Sequence, residues 1–210
     1  MTLSVQPAFW LTSGASLLRI AIGFLLALTF GIALAAFMYR FPSVNDFFRP
    51  ALAVVRSTPV SSFILLTILW FQETAVPVFI VFLTVLPIIQ ENVLAGIRNT
   101  DPQLLEMSRV FHLSRWKTVA KIYLPSIAPY LASACTTGLG FAWKSGIAAE
   151  VLCTPQFSIG RNLYETKLYL ETPDLFAWTA FVILLSILFE RAFSKIMRIG
   201  LKHIPEEARV

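Results

Sequence analysis

The sequence predicts an all-α bundle of about five membrane-spanning helices. Of the 210 residues, 57% are hydrophobic and only 14% are charged, and the mean hydropathy is +0.72. A soluble domain averages about 45–50% apolar and about 25% charged residues. Charge-free apolar runs recur along the chain at lengths near the roughly 20 residues that cross a bilayer as a helix. This composition excludes an ordinary soluble enzyme, a disordered chain and a collagen-like chain.

The apolar runs place five spans in one transmembrane domain, residues 1–210. The spans are predicted at about 15–39, 51–72, 74–95, 122–147 and 174–193. The first and fourth contain the longest charge-free runs, Ile20–Tyr39 and Ile122–Trp143. The second continues across Arg56, the third carries two prolines, and the fifth extends past a Glu-Arg pair.

The basic residues set the predicted orientation of these spans. Segments 40–56, 98–121 and the tail from 191 hold 13 of the 17 lysines and arginines. They are Arg40, Arg49, Arg56, Arg98, Arg109, Arg115, Lys117, Lys121, Arg191, Lys195, Arg198, Lys202 and Arg209. Short cytoplasmic loops carry an excess of basic residues, so we expect the N-terminus outside and the C-terminus in the cytoplasm. The positive charge therefore reflects membrane topology, and we expect a lipid bilayer and no nucleic acid as partner.

Two stripes of small residues predict how the spans pack. Glycine or alanine recurs every four residues in the first span and again in the fourth. The stripes are Gly23, Ala27, Gly31 and Ala35, and Ala134, Gly138, Ala142 and Gly146. Small residues at this spacing let helix backbones approach closely in lipid. Either the stripes pack inside one subunit, or one of them lies at a dimer interface or along a solute pathway.

The loop at 97–121, between the third and fourth spans, predicts a basic elbow of two short helices on the cytoplasmic face. Asp101 is a good N-cap and Pro102 suits the first helical position. His112-Leu113-Ser114 reads as a turn, with Ser114 capping a second helix over 115–123. Leu124-Pro125 then leads into the fourth span. From these residues alone, the elbow is either a plain connector or a contact for another protein.

The residue order in this loop resembles the EAA loop of ABC importer permeases, Glu-Ala-Ala-x3-Gly-x9-Ile-x-Leu-Pro. Glu106, Ile122, Leu124 and Pro125 match it in kind and spacing, whereas Met107, Ser108 and His112 stand where the pattern has Ala, Ala and Gly. Further segments are similar to the sulfonate/nitrate/taurine-type branch, in the same order along the chain. They are Leu17–Phe24, Arg56–Val60, Ile68–Phe71, Phe141–Trp143 and Ala149-Glu150. Members of that branch often have one more N-terminal span, and we expect five spans here.

The resemblance implies a mechanism and a set of partners. Two permease subunits, as a homodimer or an unlike pair, would form the pathway, each docked on a cytoplasmic ATPase, and an outside binding protein would deliver solute. The elbow would transmit ATP-driven closure of the ATPase to the spans. The coupling residues implied are Leu105, Glu106, Ser108, Val110, His112, Leu113, Leu124 and Pro125. The branch suggests as solute a small anion such as a sulfonate, taurine or nitrate, or a vitamin precursor.

Polar residues near the fourth span form the candidate pathway set, together with Gly138 and Ala142. Lys144 either reaches the headgroups from an outer end of the span or faces the pathway and attracts an anionic solute. Glu150 could pair with it, although six residues is a poor helical spacing for contact. Segment 158–170 predicts an amphipathic helix lying over the outer mouth, as a connector, a gate or a dock for the binding protein.

Catalytic, cofactor and metal sites are not expected. The sequence has no Gly-x4-Gly-Lys-Ser/Thr phosphate loop, and its two histidines and two cysteines do not show zinc-ligand spacing. Energy must then come from a partner ATPase or from an ion gradient. The alternative is thus a gradient-driven transporter or channel, which would need acidic or histidine relays in mid-span.

Overall fold

The chain folds into nine α-helices, with no strand, over residues 7–201, which are the residues that the computed structural model describes. The helices are α1 (Pro7–Arg40), α2 (Pro42–Ser57), α3 (Val60–Ile68), α4 (Val76–Arg98), α5 (Pro102–Val110), α6 (Arg115–Thr118), α7 (Leu124–Cys153), α8 (Ile159–Leu168) and α9 (Thr172–Leu201). The all-α prediction is confirmed. Lys202 and Arg209, which the charge count includes, lie outside the described residues, as do residues 1–6.

Three helices in the described residues are long and apolar enough to cross a membrane, and they coincide with three predicted spans. They are Phe9–Arg40, Val76–Arg98 and Thr172–Phe193. The fourth predicted span falls on α7, which has 30 residues but is not among these three. Its many Ala, Gly, Ser and Thr residues lower its hydropathy, and they allow the close packing described below. The number of crossings stays a prediction.

The segment predicted as the second span is not one straight helix. Residues 51–72 fall on the second half of α2, on α3 and on the turn after it. Helices α2 and α3 meet at an angle of 99° and together are long and apolar enough for one crossing. The break is at Thr58-Pro59, where Thr58 is extended with φ −82° and ψ 133°. A residue before proline is pushed out of the helical region by the proline ring, so the bend follows from Pro59.

Helices α1, α4 and α7 form the centre of the bundle through the two glycine/alanine stripes. A Cβ on Gly23 would lie 2.6 Å from the carbonyl oxygen of Val78, and one on Gly146 would lie 2.6 Å from Ile20 Cγ1. Ala27, Ala35, Ala134 and Ala142 are fully buried. Both stripes therefore pack inside this one chain, which was the first of the two alternatives left open by the sequence.

The contacts between helices define two ends of the bundle. At one end the start of α1 meets the start of α9, since Phe9 packs on Trp178 with ring centroids 5.2 Å apart. Helix α8 lies at this end too, where the amide of Ile159 donates to Ser16 Oγ at 2.9 Å. At the other end the last turn of α4 packs on the first turns of α7, with Gly96 against Ile127 and Tyr130. We call these the α8 end and the elbow end.

Candidate functional site

The elbow between α4 and α7 has the caps that the sequence predicts. The side chain of Asp101 accepts from the amide of Gln103 at 2.8 Å, and Pro102 opens α5. Ser114 Oγ accepts from the amide of Lys117 at 3.4 Å and starts α6. The turn between them closes where the amide of Leu113 donates to the carbonyl of Ser108 at 2.9 Å.

His112 stands at the position where the EAA pattern has glycine. The backbone conformation at this position explains why the pattern has glycine there. Its φ is +48°, in the left-handed region that glycine enters without strain and other residues enter at a cost of about 1–2 kcal/mol. The turn forms without the glycine, and the elbow keeps its shape.

We expect His112→Gly to leave uptake at the wild-type level and His112→Ile to lower the free energy of unfolding by about 1–2 kcal/mol. A β-branched side chain is the least tolerated in the left-handed region, whereas glycine relieves the strain. Denaturant unfolding of the purified variants measures the difference. Equal stability of the two variants would show that the turn does not depend on this backbone angle.

The second elbow helix runs into α7 through one wide helical turn. Residues Val119–Tyr123 form a π-helical turn directly before α7. Pro125 follows two residues later, has no N–H, and clashes with the carbonyl four residues before it in a regular α-helix. A π turn removes this conflict. The predicted helix at 115–123 is therefore α6 plus this turn, continuous with α7.

The structure gathers four of the eight predicted coupling residues around one concavity and leaves the others on different surfaces. Leu105, Ser108, His112 and Leu113 line a cavity of about 860 Å³ between α5 and the π-helical turn. Glu106 is exposed on the outer side of α5, and Val110 is 75% exposed. At the start of α7, Leu124 is 56% exposed and Pro125 is half-buried.

Large apolar side chains cover much of the elbow surface, and two of them are absent from the predicted set. Phe111 and Trp116 are 71% and 81% exposed, next to Val110, with Leu104 and Met107 also exposed. Large exposed apolar patches mark surfaces that another molecule covers. The sequence contained a sign of this surface, because bulky apolar residues stand in a basic loop outside the predicted spans. We call Leu104, Met107, Val110, Phe111 and Trp116 the elbow apolar surface.

At the α8 end, the Glu150 carboxylate is the centre of a buried cluster of hydrogen bonds. Its side chain is fully buried and accepts from Ser16 Oγ at 2.7 Å and from the amide of Gly160 at 3.3 Å. Arg19 Nη1 lies 3.0 Å from Oε1 of this carboxylate. The cluster therefore ties α1, α7 and the start of α8 together, and we call it the Glu150 cluster.

The packing separates the candidate pathway residues. Gly138 and Ala142 are buried against neighbouring helices, Gly138 facing Val85 and Phe24. Glu150 pairs with Arg19 and not with Lys144. Only Lys144 of this set lies on the outer surface of α7.

Lys144 lies farther from the end of its helix than the sequence suggests. Helix α7 continues for nine residues beyond it, to Cys153, which is roughly 13 Å at about 1.5 Å per residue. Ser133, Thr137, Gly140 and Ala148 fall within about 60° of Lys144 around the helix axis, and none of the five is buried. The apolar Phe141 and Val151 lie in the same sector and are not buried either. Lys144 makes no ion pair with any residue that the structure describes. We call Ser133, Thr137, Gly140, Lys144 and Ala148 the α7 polar stripe.

Helix α8 occupies Ile159–Leu168 of the segment predicted as an amphipathic helix, and it buries Ile159 while Leu168 and Leu170 are exposed. Ser158 caps it by accepting from the amide of Arg161 at 3.1 Å. Arg161 and Glu165 form an ion pair one turn apart at 2.7 Å, and this hydrogen bond raises the pKa of the Arg161 guanidinium above its ordinary value. A cavity of about 720 Å³ lies between α8 and the starts of α1 and α9.

Comparison with known proteins decides the family. The model of the binding-protein-dependent transport system inner membrane component matches residues 27–197. The chain belongs to this family. The family resemblance predicted from the sequence is confirmed, and this inner membrane component is a multi-pass membrane protein.

Curated relatives and a solved structure agree with the family. The nitrate import permease protein NrtB of Leptolyngbya laminosa is 29% identical over 148 residues, which is 70% of this chain and 53% of that protein. The taurine transport system permease protein TauC of Escherichia coli (strain K12) is 24% identical over 196 residues, 92% of this chain and 70% of that protein. The chain thus spans between about half and 70% of the length of these relatives. A crystal structure described as an amino acid ABC transporter with histidines has the same fold, with a TM-score of 0.69 at 17% identity and coverage of 96% and 98%.

Proposed function

We propose that the chain is the permease subunit of an ATP-binding-cassette importer, and that it moves a small anion with the help of a cytoplasmic ATPase and an outside binding protein. The elbow apolar surface is the observation that carries this proposal. It presents five large apolar side chains to solvent on a segment that the family's EAA pattern reserves for the ATPase contact. Relatives in the family are named as permease proteins for nitrate and taurine.

The orientation in the membrane follows from the charge distribution and the two ends of the bundle. The elbow end carries the basic segments 40–56 and 98–121, whereas the α8 end carries Glu150, Glu165, Glu171 and Asp174. By the positive-inside rule the elbow end faces the cytoplasm. The N-terminus is then outside, the C-terminus inside, and α8 lies on the outer face, where a binding protein would dock.

The elbow would transmit the ATPase cycle to the bundle as a rigid lever. Its turn is closed by backbone hydrogen bonds, and α6 continues into α7. A displacement of the elbow is therefore passed directly to α7, which packs on α1 and α4. Glu106 would meet the ATPase with polar contacts, and the apolar surface would fill its groove. ATP binding would then shift a two-state bundle toward its outward-open form.

The α7 polar stripe is the proposed lining of the pathway between two permease subunits. A lysine facing hydrocarbon at this distance from the helix end is costly, so Lys144 needs water or a second subunit beside it. Its positive charge would attract an anion, which agrees with the nitrate, bicarbonate and sulfonate named for relatives.

We expect Lys144→Ala to lower anion uptake at least tenfold while assembly stays unchanged, because the side chain is exposed within the chain and supports none of its packing. Uptake of labelled solute and co-purification with the ATPase are measured side by side. Lys195→Ala, an exposed lysine on α9, is the control and should keep full uptake. Uptake at the wild-type rate by the Lys144→Ala variant would show that Lys144 does not line the pathway.

Reconstitution tests the proposed function as a whole. The chain, together with its partner ATPase and binding protein, is placed in liposomes and offered nitrate, bicarbonate, taurine or an alkanesulfonate. We expect accumulation that needs both ATP and the binding protein. Uptake driven by a proton or sodium gradient without ATP would favour the gradient-driven alternative.

A further inference from the structure

A small cavity at the elbow end, between α2 and α4, has four charged side chains among its nine lining residues and is separate from the elbow and the α7 polar stripe. Its volume is about 210 Å³. Drug-sized ligands occupy pockets of about 300–1,000 Å³, so this cavity suits a single small group. Arg49 and Arg56 of α2 face Arg98 and Glu91 of α4 across it.

Positive charge exceeds negative charge in this lining. Three arginines stand against one carboxylate, and Glu91 is paired with Arg56. Arg98 donates only a long hydrogen bond, 3.4 Å, to the side-chain oxygen of Asn45. Arg49 forms no hydrogen bond or ion pair with the described part of the chain. Arg49 and Arg98 are both exposed, so their remaining donors are open to solvent and to an entering anion.

A buried amide adds an independent sign of a ligand. Gln90 is only 4% exposed, and it lines the cavity. Its side chain has no hydrogen-bond partner among residues 7–201. Its amide therefore presents donors and an acceptor to the cavity that no protein group uses, and a hydrogen-bonding group entering the cavity would meet them.

We propose that this cavity binds one oxyanion group, a phosphate, sulfonate or carboxylate, through Arg49, Arg98 and Gln90. Planar guanidinium groups recognise such oxygens with paired hydrogen bonds. The Glu91 carboxylate already pairs with Arg56. An anion that enters the cavity would therefore compete with this carboxylate for the Arg56 guanidinium.

Two sources can supply the same chemistry. One is the phosphate of an anionic lipid, because basic pockets between helices at the cytoplasmic face hold such headgroups, and Phe47 of α2 is 74% exposed nearby in the chain. The other is a free anion from solution. The ligand group is the same in both cases, and the experiment separates the sources.

The full chain in phosphatidylcholine nanodiscs is tested with two probes. One arm measures equilibrium binding of labelled inorganic sulfate, and the other measures retention of phosphatidylglycerol by native mass spectrometry. We expect saturable binding of at least one probe at one site per chain. The double variant Arg49→Gln/Arg98→Gln should weaken it at least tenfold, Gln90→Leu should weaken it by a smaller factor, and Glu91→Gln should strengthen it.

Arg40→Gln is the control, since Arg40 lies at the same end, is exposed and does not line the cavity. It should bind like the wild type, and the arginine variants should unfold at temperatures similar to that of the wild type because the substituted arginines are exposed. Absence of saturable binding for both probes, or an equal loss in Arg40→Gln and the double variant, would overturn the proposal. No ATPase, binding protein or transport is involved, so the result is independent of the proposed importer function.

Discussion

Val110→Asp should abolish ATP-driven uptake while leaving the chain folded. The side chain is 75% exposed, so the substitution costs the isolated chain little. In the docked complex, the aspartate would be buried against an apolar groove, at a cost of about 3 kcal/mol or more. That is about a hundredfold in affinity for the ATPase subunit. Binding of the purified ATPase and ATP-dependent uptake in liposomes measure the effect.

Gln103→Asp is the matched control for this variant. Gln103 is an exposed polar residue on the same helix, and an acidic residue suits the first turn of a helix. It adds the same charge without touching the elbow apolar surface, so uptake should stay near the wild-type rate. Equal losses in both variants would mean that charge alone disturbs the elbow. If the Val110→Asp variant bound the ATPase subunit as tightly as the wild type, the elbow apolar surface would not be part of the contact with the ATPase.

The second large effect is expected at the Glu150 cluster. Glu150→Ala leaves Arg19 and Ser16 without the carboxylate that they both bind. Breaking a buried ion pair by removing one partner costs about 3–5 kcal/mol. The variant should therefore unfold at a clearly lower temperature and accumulate poorly in membranes. Thermal unfolding in detergent is the measurement.

Glu165→Ala is the control for the Glu150 variant, because the Arg161–Glu165 pair is exposed on α8 and such pairs add little. Gly160→Ala probes the same contact independently. Its Cβ would lie 2.4 Å from Glu150 Cβ and 2.5 Å from two backbone atoms of α7, so α8 would have to move. Gly14→Ala, on α1, meets no atom within 4 Å and should unfold at the same temperature as the wild type. If Glu150→Ala were no less stable than Glu165→Ala, the cluster would not hold the three helices together.

The features predicted correctly from the sequence are those with local causes. Length and apolarity indicated long helices where α1, α4 and α9 lie, although α1 begins eight residues before and α9 ends eight residues after the predicted bounds. Asp101 and Ser114 marked the two elbow helices because a capping side chain acts on its own next turn. The Gly and Ala stripes indicated close packing, and the contacts within the chain then decided between the alternatives.

The features that were missed depend on distant residues or on helix continuation. Arg19 and Glu150 are separated by 131 residues, so the spacing near Lys144 gave no sign of their pairing. Lys144 was placed at the end of a span, because the charge ended the apolar run, whereas the helix continues to Cys153. The 99° bend between α2 and α3 was hidden inside an apolar segment in which Pro59 was the single local signal.

The side of the membrane on which the elbow lies tests the account most directly. Val110→Cys and Tyr169→Cys place exposed thiols at the elbow end and at the α8 end, since the native side chains are 75% and 70% exposed. The natural cysteines, Cys135 and Cys153, are buried and give little background with a membrane-impermeant thiol reagent. We expect Val110→Cys to react only from the cytoplasmic side and to be protected when the ATPase subunit is added, and Tyr169→Cys to react only from outside. Labelling of Val110→Cys from the outside would contradict both the topology and the importer mechanism.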